Sequence, residues 1–136
     1  MTTRFLPSLL RMATRTTSFQ APALISVRHA SSSHAQESFE AFTARYVAFF
    51  NSAPDLFEVQ RGLNNCFAHD LVPAPTVIEA AIRAARRVDD YATTVRIFEG
   101  IREKVENKAQ YEQYVQELKL LRDELGITLK EELYSP

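Results

Sequence analysis

The apolar side chains after residue 36 recur at intervals of three and four residues, and this spacing constrains the fold more than any other feature of the sequence. Side chains at such intervals lie on one face of an α-helix. No segment alternates polar and apolar residues for long enough to predict a β-strand. The sequence therefore predicts an all-α domain of about five antiparallel helices. Their apolar stripes are Phe39, Phe42, Tyr46 and Phe49; Leu56, Val59, Leu63 and Phe67; Val77, Ala81, Ala85 and Val88; Tyr91, Val95, Phe98, Ile101 and Val105; and Tyr111, Tyr114, Leu118, Leu121 and Leu125.

Residues that favour helix starts precede the second and third stripes. Pro54 suits the first turn of the second helix, where a missing N–H costs nothing, and Asp55 and Glu58 complement the positive end of the helix dipole. Thr76 and Glu79 have the spacing of a capping box, which predicts that Thr76 caps the third helix.

Two further boundary signals lie in the second half of the domain. Asp89 or Asp90 is placed to cap the fourth helix. Gly126 suits a left-handed residue at the end of the fifth helix, with Ile127 positioned to fold back onto its last turn.

Short links between the predicted helices favour antiparallel neighbours. The second and third helices would form one hairpin, and the fourth and fifth another, offset by about 35 residues. This offset is close to the period of tetratricopeptide repeats, although the signature residues of those repeats are missing. We therefore predict helical hairpins stacked in a small right-handed superhelix, whose concave face would serve in binding.

The first 34 residues differ in composition from the rest of the chain. They are rich in Ser, Thr and Ala, contain four arginines, and lack Asp and Glu. On a helix, Arg4, Arg11 and Arg15 would share one face. This composition is typical of a mitochondrial transit peptide. We predict that residues 1–30 are such a peptide, cleaved between about residues 29 and 34, and that residues 36–136 form the domain. A disordered basic tail and a secretory signal are the alternatives, but the apolar run is short and Arg11 interrupts it.

The charge of the domain excludes some classes of function. It holds 12 of the 16 Lys and Arg residues and all 17 Asp and Glu residues, so its net charge is −5. Nucleic-acid binding needs clustered positive charge instead. The sequence contains no uncharged apolar run of about 18 residues, so it predicts no transmembrane span. Cys66 is the only cysteine, which excludes an intramolecular disulfide and suits a reducing matrix.

Few residues could carry chemistry. Cys66 and His69 would share a helix face, so a metal pair is conceivable, but we favour a half-buried cysteine beside Phe67 and a histidine at a helix end. No nucleophile elbow, phosphate loop or dinucleotide fingerprint is present. Gly62 and Gly100 lie inside helical patterns, where they would allow close contact between helices. The sequence therefore predicts no catalytic, cofactor-binding or metal-binding residue.

Arg83, Arg86 and Arg87 form a basic cluster on the third helix. One interpretation is a solvated helix face with local ion pairs. The other is a surface that docks an acidic partner through bidentate guanidinium contacts.

Several segments carry a resemblance to a known family. They read DLFEVQRGLN at residues 55–64, DLVPAP at 70–75, IEAAIRAARRVDD at 78–90 and TVRIF at 94–98, followed by QEL, ELGI and EEL near the end of the chain. With them, residues 36–133 closely resemble cytochrome c oxidase subunit Va, called subunit VI in fungi. The turn Val-Pro-x-Pro joined to the helix Arg-Ala-x-Arg-Arg-x-Asp-Asp is the most specific part of this resemblance.

The resemblance implies a nuclear-encoded, non-catalytic accessory subunit of stacked helices on the matrix face of the inner-membrane oxidase. Such a subunit binds no haem or copper, which belong to other subunits, and docks against its neighbours, including the subunit IV homologue and the catalytic core. It supports the assembly, stability and regulation of an enzyme that passes electrons from cytochrome c to oxygen.

Without the resemblance, the residues are also compatible with two other functions: a free matrix adaptor made of helical repeats, and a small matrix enzyme that uses Cys66 and His69. For the oxidase subunit, the expected partner contacts are Arg83, Arg86, Arg87, Asp70, Val72, Pro73 and Pro75.

Overall fold

The computed structural model describes residues 37–134. Within this part of the chain the backbone forms helices and no strand, which confirms the predicted all-α class. The predicted transit peptide and its cleavage site lie outside the described residues. The helices are α1 (Phe39–Ser52), α2 (Leu56–Phe67), α3 (Pro75–Arg87), α4 (Tyr91–Lys104), α5 (Lys108–Glu117), α6 (Lys119–Leu125) and α7 (Lys130–Leu133).

Short polar side chains cap four of these helices. In each case the side chain accepts a hydrogen bond from the N–H group three residues later, which satisfies one of the free donors of the first turn. The pairs are Ser38 with Ala41, Asp55 with Glu58, Asp90 with Thr93, and Asn107 with Gln110. The prediction that Asp89 or Asp90 caps the fourth helix is confirmed for Asp90.

The predicted position of Pro54 in the first turn of α2 was wrong. Asp55, which is extended at φ −144°, is the N-cap, so Pro54 precedes the helix and does not lie in its first turn.

The predicted capping box of α3 was also wrong. The helix starts at Pro75, its N-cap is Ala74, and no side chain caps it. A proline at the first helical position has the φ that a helix requires, and the N–H it lacks would have no partner within the helix in any case, so Pro75 starts the helix before Thr76. The Glu79 carboxylate instead accepts a hydrogen bond from Arg83 at 3.0 Å.

Helix α3 lies at the centre of the core. Seven of its 13 residues are buried, too many for a helix with a single apolar stripe, and it packs against α1, α2 and α4. Four of the seven are alanines, which allow neighbouring helices to approach closely. The largest side chains around it that are fully buried include Phe50, Val59, Phe98 and Ile101.

Glycine permits close contact between α1 and α2. A Cβ atom added to Gly62 would lie 2.2 Å from Cε1 of Phe49, whereas one added to Gly100 would lie 3.3 Å from Cε1 of Phe67. The predicted role of Gly62 is therefore confirmed, and the contact at Gly100 is looser.

The predicted fifth helix is divided into α5 and α6. Leu118 interrupts it, with φ −90° and ψ 7°, while its side chain stays buried. The prediction for the end of this region is confirmed, because Gly126 is left-handed at φ 66° and Ile127 is buried. The stacked-hairpin superhelix stays a prediction.

Candidate interaction surface

Arg83 binds two carboxylates on the exposed side of α3. Its Nε donates to Glu79, and Nη1 and Nη2 donate to the two carboxylate oxygens of Glu124 on α6, each at 3.0 Å. The guanidinium group lowers the pKa of the Glu124 carboxyl below its usual value. Arg83 therefore joins α3 to α6, although 42% of its side chain remains exposed.

Arg87 binds the end of another helix. Its Nη2 donates to the carbonyl oxygens of Phe50 and Ala53, each at 2.9 Å. These carbonyls lie at the C-terminal end of α1, where a helix has acceptors without partners and the negative end of its dipole. A guanidinium group suits that position, so Arg87 joins α3 to α1.

Arg86 lies against an aromatic ring. Its guanidinium carbon is 5.5 Å from the centre of the Tyr91 ring, a cation–π distance, and the side chain is half-buried. The hydroxyl of Tyr91 in turn accepts a hydrogen bond of 3.0 Å from the N–H of Thr128. The three arginines therefore contact three different parts of the same chain.

The turn between α2 and α3 is anchored from two sides. The ammonium group of Lys104 donates to the carbonyl oxygens of Phe67, at 2.9 Å, and His69. The hydroxyl of Tyr114 donates to the carbonyl oxygen of Pro73 at 2.7 Å.

Only part of this turn is accessible. Pro73 is fully buried, Val72 and Pro75 are half-buried, and Asp70 is exposed. The neighbouring Leu71, which no predicted contact included, is 50% exposed.

The arginines and the turn do not form one surface. Pro75 is the first residue of α3 and Arg87 is the last. At a rise of 1.5 Å per residue, Arg86 lies roughly 16 Å along the helix from Pro75. The structure therefore places the predicted contacts at opposite ends of α3.

Cys66 and His69 lie in different environments. The Cys66 side chain is 1% exposed, more buried than predicted, and burial raises the pKa of its thiol to about 11. His69 follows the end of α2, is exposed, and meets the Phe42 ring edge-on at 5.0 Å. Among residues 37–134, no group of three or more His, Cys, Asp and Glu side chains could hold a metal ion.

An open groove of about 370 Å³ between α2 and α4 is a feature that sequence reasoning missed. The sequence signal was present but ambiguous, because Leu63 and Phe67 belong to a predicted core stripe and are only partly buried. The groove is lined by Gln60, Leu63, Asn64, Phe67, Thr93, Arg96, Ile97 and Gly100.

Residues 37–134 thus form an all-helical domain around a central buried helix. Within this range no cluster of side chains could hold a metal ion, and no helix has the length and apolar character to cross a membrane. The family described as cytochrome c oxidase subunit Va matches residues 35–135. The chain belongs to this family.

Similar proteins agree with the family match. The chain is 65% identical over 103 residues to cytochrome c oxidase subunit 6, mitochondrial, of Neurospora crassa. The aligned region covers 76% of this chain and 70% of that protein. It is 60% identical over 110 residues to the protein of the same name in Saccharomyces cerevisiae, covering 81% and 74%. It is 44% identical over 118 residues to cytochrome c oxidase subunit 5A, mitochondrial, of Notamacropus parma, covering 85% and 76%.

Proposed function

We propose that the chain is a non-catalytic accessory subunit of mitochondrial cytochrome c oxidase, complex IV, and that it supports the assembly, stability and regulation of electron transfer from cytochrome c to oxygen. The observation that carries this proposal is the family match over residues 35–135, nearly the whole predicted domain.

The chemistry of the described residues supports a non-catalytic role. Cys66 is buried, and the raised pKa of its thiol keeps it protonated at neutral pH, so it is a poor nucleophile and a poor metal ligand. In this proposal the chain binds no cofactor, and haem a and copper belong to other subunits of the complex.

The proposed location is the matrix side of the inner membrane, with the chain bound peripherally. The arginine-rich, acid-free segment before residue 35 supports import. The family match begins at residue 35, directly after the proposed cleavage region, and the similar proteins carry the word mitochondrial in their names.

The proposed partners are other oxidase subunits, including the subunit IV homologue and the catalytic core. The predicted contact residues remain part of this proposal, with different roles. Asp70 offers an exposed charge, whereas Arg83 is exposed but already binds Glu79 and Glu124. Arg86, Arg87, Val72, Pro73 and Pro75 are half-buried, buried or bound within the chain, so they would shape the contact surface more than supply its bonds.

Native electrophoresis of a mitochondrial detergent extract tests the proposal. We expect a tagged chain to comigrate with haem a absorbance at the size of the complex. A chain that migrates only as a small species without haem would overturn the proposal in favour of a free helical-repeat adaptor.

A further inference from the structure

The groove between α2 and α4 combines an apolar floor with a polar rim. Its apolar lining residues are Leu63, Phe67 and Ile97, and Gly100 adds no side chain of its own. A Cβ at Gly100 would lie 3.3 Å from the Phe67 ring, so glycine keeps this part of the floor open. Its volume falls within the range of ligand-binding clefts.

The rim of the groove carries groups that suit a polypeptide main chain. Gln60 and Asn64 are exposed on successive turns of α2, and Thr93 faces them from α4. Within residues 37–134, neither amide side chain has a hydrogen-bond partner. An amide group both donates and accepts hydrogen bonds, as the N–H and C=O groups of a peptide require.

The charge of the groove indicates the partner's charge. Arg96 is the only charged side chain among its described lining residues. Its side chain is 80% exposed, and its ion pair with Glu99 is long, at 3.4 Å. The other carboxylate oxygen of Glu99 lies 3.3 Å from the ammonium group of Lys130. One carboxylate is thus shared by two cations, which leaves positive charge at the rim.

We propose that this groove binds a peptide segment of another subunit of the complex, with an apolar side chain on the floor and an Asp or Glu side chain paired with Arg96. The inference rests on the proposed function and deepens it by naming the surface and the chemistry of the partner. It also predicts a contact whose lining residues lie on α2 and α4 and include none of the arginines of α3.

Site-specific photo-crosslinking in the assembled complex tests this inference. Asn64 is replaced by the photo-reactive residue p-benzoylphenylalanine. The band that contains haem a is illuminated in a native gel, and its subunits are then separated by mass under denaturing conditions. We expect an adduct between this chain and one other subunit. Arg96→Glu should lower its yield by roughly fivefold, because an attraction becomes a repulsion, whereas Arg96→Lys should retain most of it.

Lys108→Glu is the matched control. Lys108 is an exposed cation, 88% accessible, with one local ion pair to Glu112, and it lies outside the groove. Its reversal should leave the adduct unchanged. Three results would overturn the inference: no adduct, an adduct within this chain or with a second copy, or a yield that Arg96→Glu does not alter. In each case, comigration of the chain with haem a would still support the proposed function. Loss of comigration in the unsubstituted chain would overturn both.

Discussion

The hydroxyl group of Tyr114 on α5 donates a hydrogen bond of 2.7 Å to the main-chain oxygen of Pro73, although 41 residues separate them in the sequence. Pro73 lies in the turn that leads into the central helix α3. This bond therefore ties the most recognisable turn of the sequence to the C-terminal half of the domain, and gives that turn a structural role besides any contact with a partner.

We expect Tyr114→Phe to lower the free energy of unfolding by about 1 kcal/mol, because it removes one partly buried hydrogen bond and keeps the ring. Urea denaturation measures this loss, and hydrogen exchange should show faster opening of the turn at residues 68–74. Tyr134→Phe is the control, since Tyr134 is 76% exposed. Equal stability of the two variants would contradict a structural role for the Tyr114 hydroxyl.

Arg87→Ala should lower the free energy of unfolding by about 1 to 3 kcal/mol, because it leaves the carbonyls of Phe50 and Ala53 without their charged donor. Arg61→Ala should change it by less than about 1 kcal/mol, because Arg61 has only a local ion pair with Glu58 and a cation–π contact of 5.2 Å with the Phe49 ring, at a largely exposed site. Thermal and urea unfolding compare the two. A smaller loss for Arg87→Ala than for Arg61→Ala would exclude the proposed bond to α1.

The bonds of Arg87 to α1 make it unsuitable for variants that test a partner surface. A charge reversal that includes Arg87 would weaken incorporation into the complex by destabilising the fold as well as by removing a contact. Arg83→Gln keeps the Arg87 bonds intact and is the cleaner test of the α3 surface.

Gly62→Ala and Gly100→Ala should differ in their effect on stability. Alanine favours a helix over glycine by about 1 kcal/mol. At Gly62 the added methyl group would clash with the Phe49 ring at 2.2 Å, and overpacking costs about 1 to 3 kcal/mol, so we expect net destabilisation. At Gly100 the nearest atom is 3.3 Å away, so we expect a change near zero or a small gain. Denaturant midpoints measure both, and a Gly62→Ala variant more stable than Gly100→Ala would refute the close packing of α1 on α2.

Cys66 should react slowly with alkylating reagents at neutral pH. The thiolate is the reactive form, and burial both raises the pKa of this thiol to about 11 and blocks access to it. We expect the reaction to accelerate with urea in parallel with loss of helical circular dichroism. Rapid alkylation of the folded chain would show that the thiol is accessible, and would contradict the conclusion that Cys66 is unreactive.

Local sequence patterns predicted most of the helices. Apolar spacing placed α1 to α4, and Asp90 and Gly126 were recognised because capping depends on residues within one turn. The start of α3 was misjudged because Thr76 and Glu79 have the spacing of a capping box, whereas the helix already starts at Pro75. The division at Leu118 was missed because Leu118 and Leu121 continue the apolar stripe without interruption.

The candidate surface was harder to predict because its contacts are long-range. Arg83 and Arg87 were identified as notable, but their partners Glu124 and Phe50 lie 41 and 37 residues away. Spacing along one helix carries no information about such pairs. The groove was missed for a similar reason, since residues of α2 and α4 form it together and neither helix shows it alone.

The most direct test of the central claim is complementation of cells that lack this chain. We expect those cells to lose haem a absorbance and oxygen consumption driven by reduced cytochrome c, and expression of the chain to restore both. Cys66→Ala and His69→Ala variants should restore them equally well, because the chain supports the enzyme without supplying its chemistry. Normal oxidase in cells without the chain, or a variant that restores haem a but not oxygen consumption, would contradict the account.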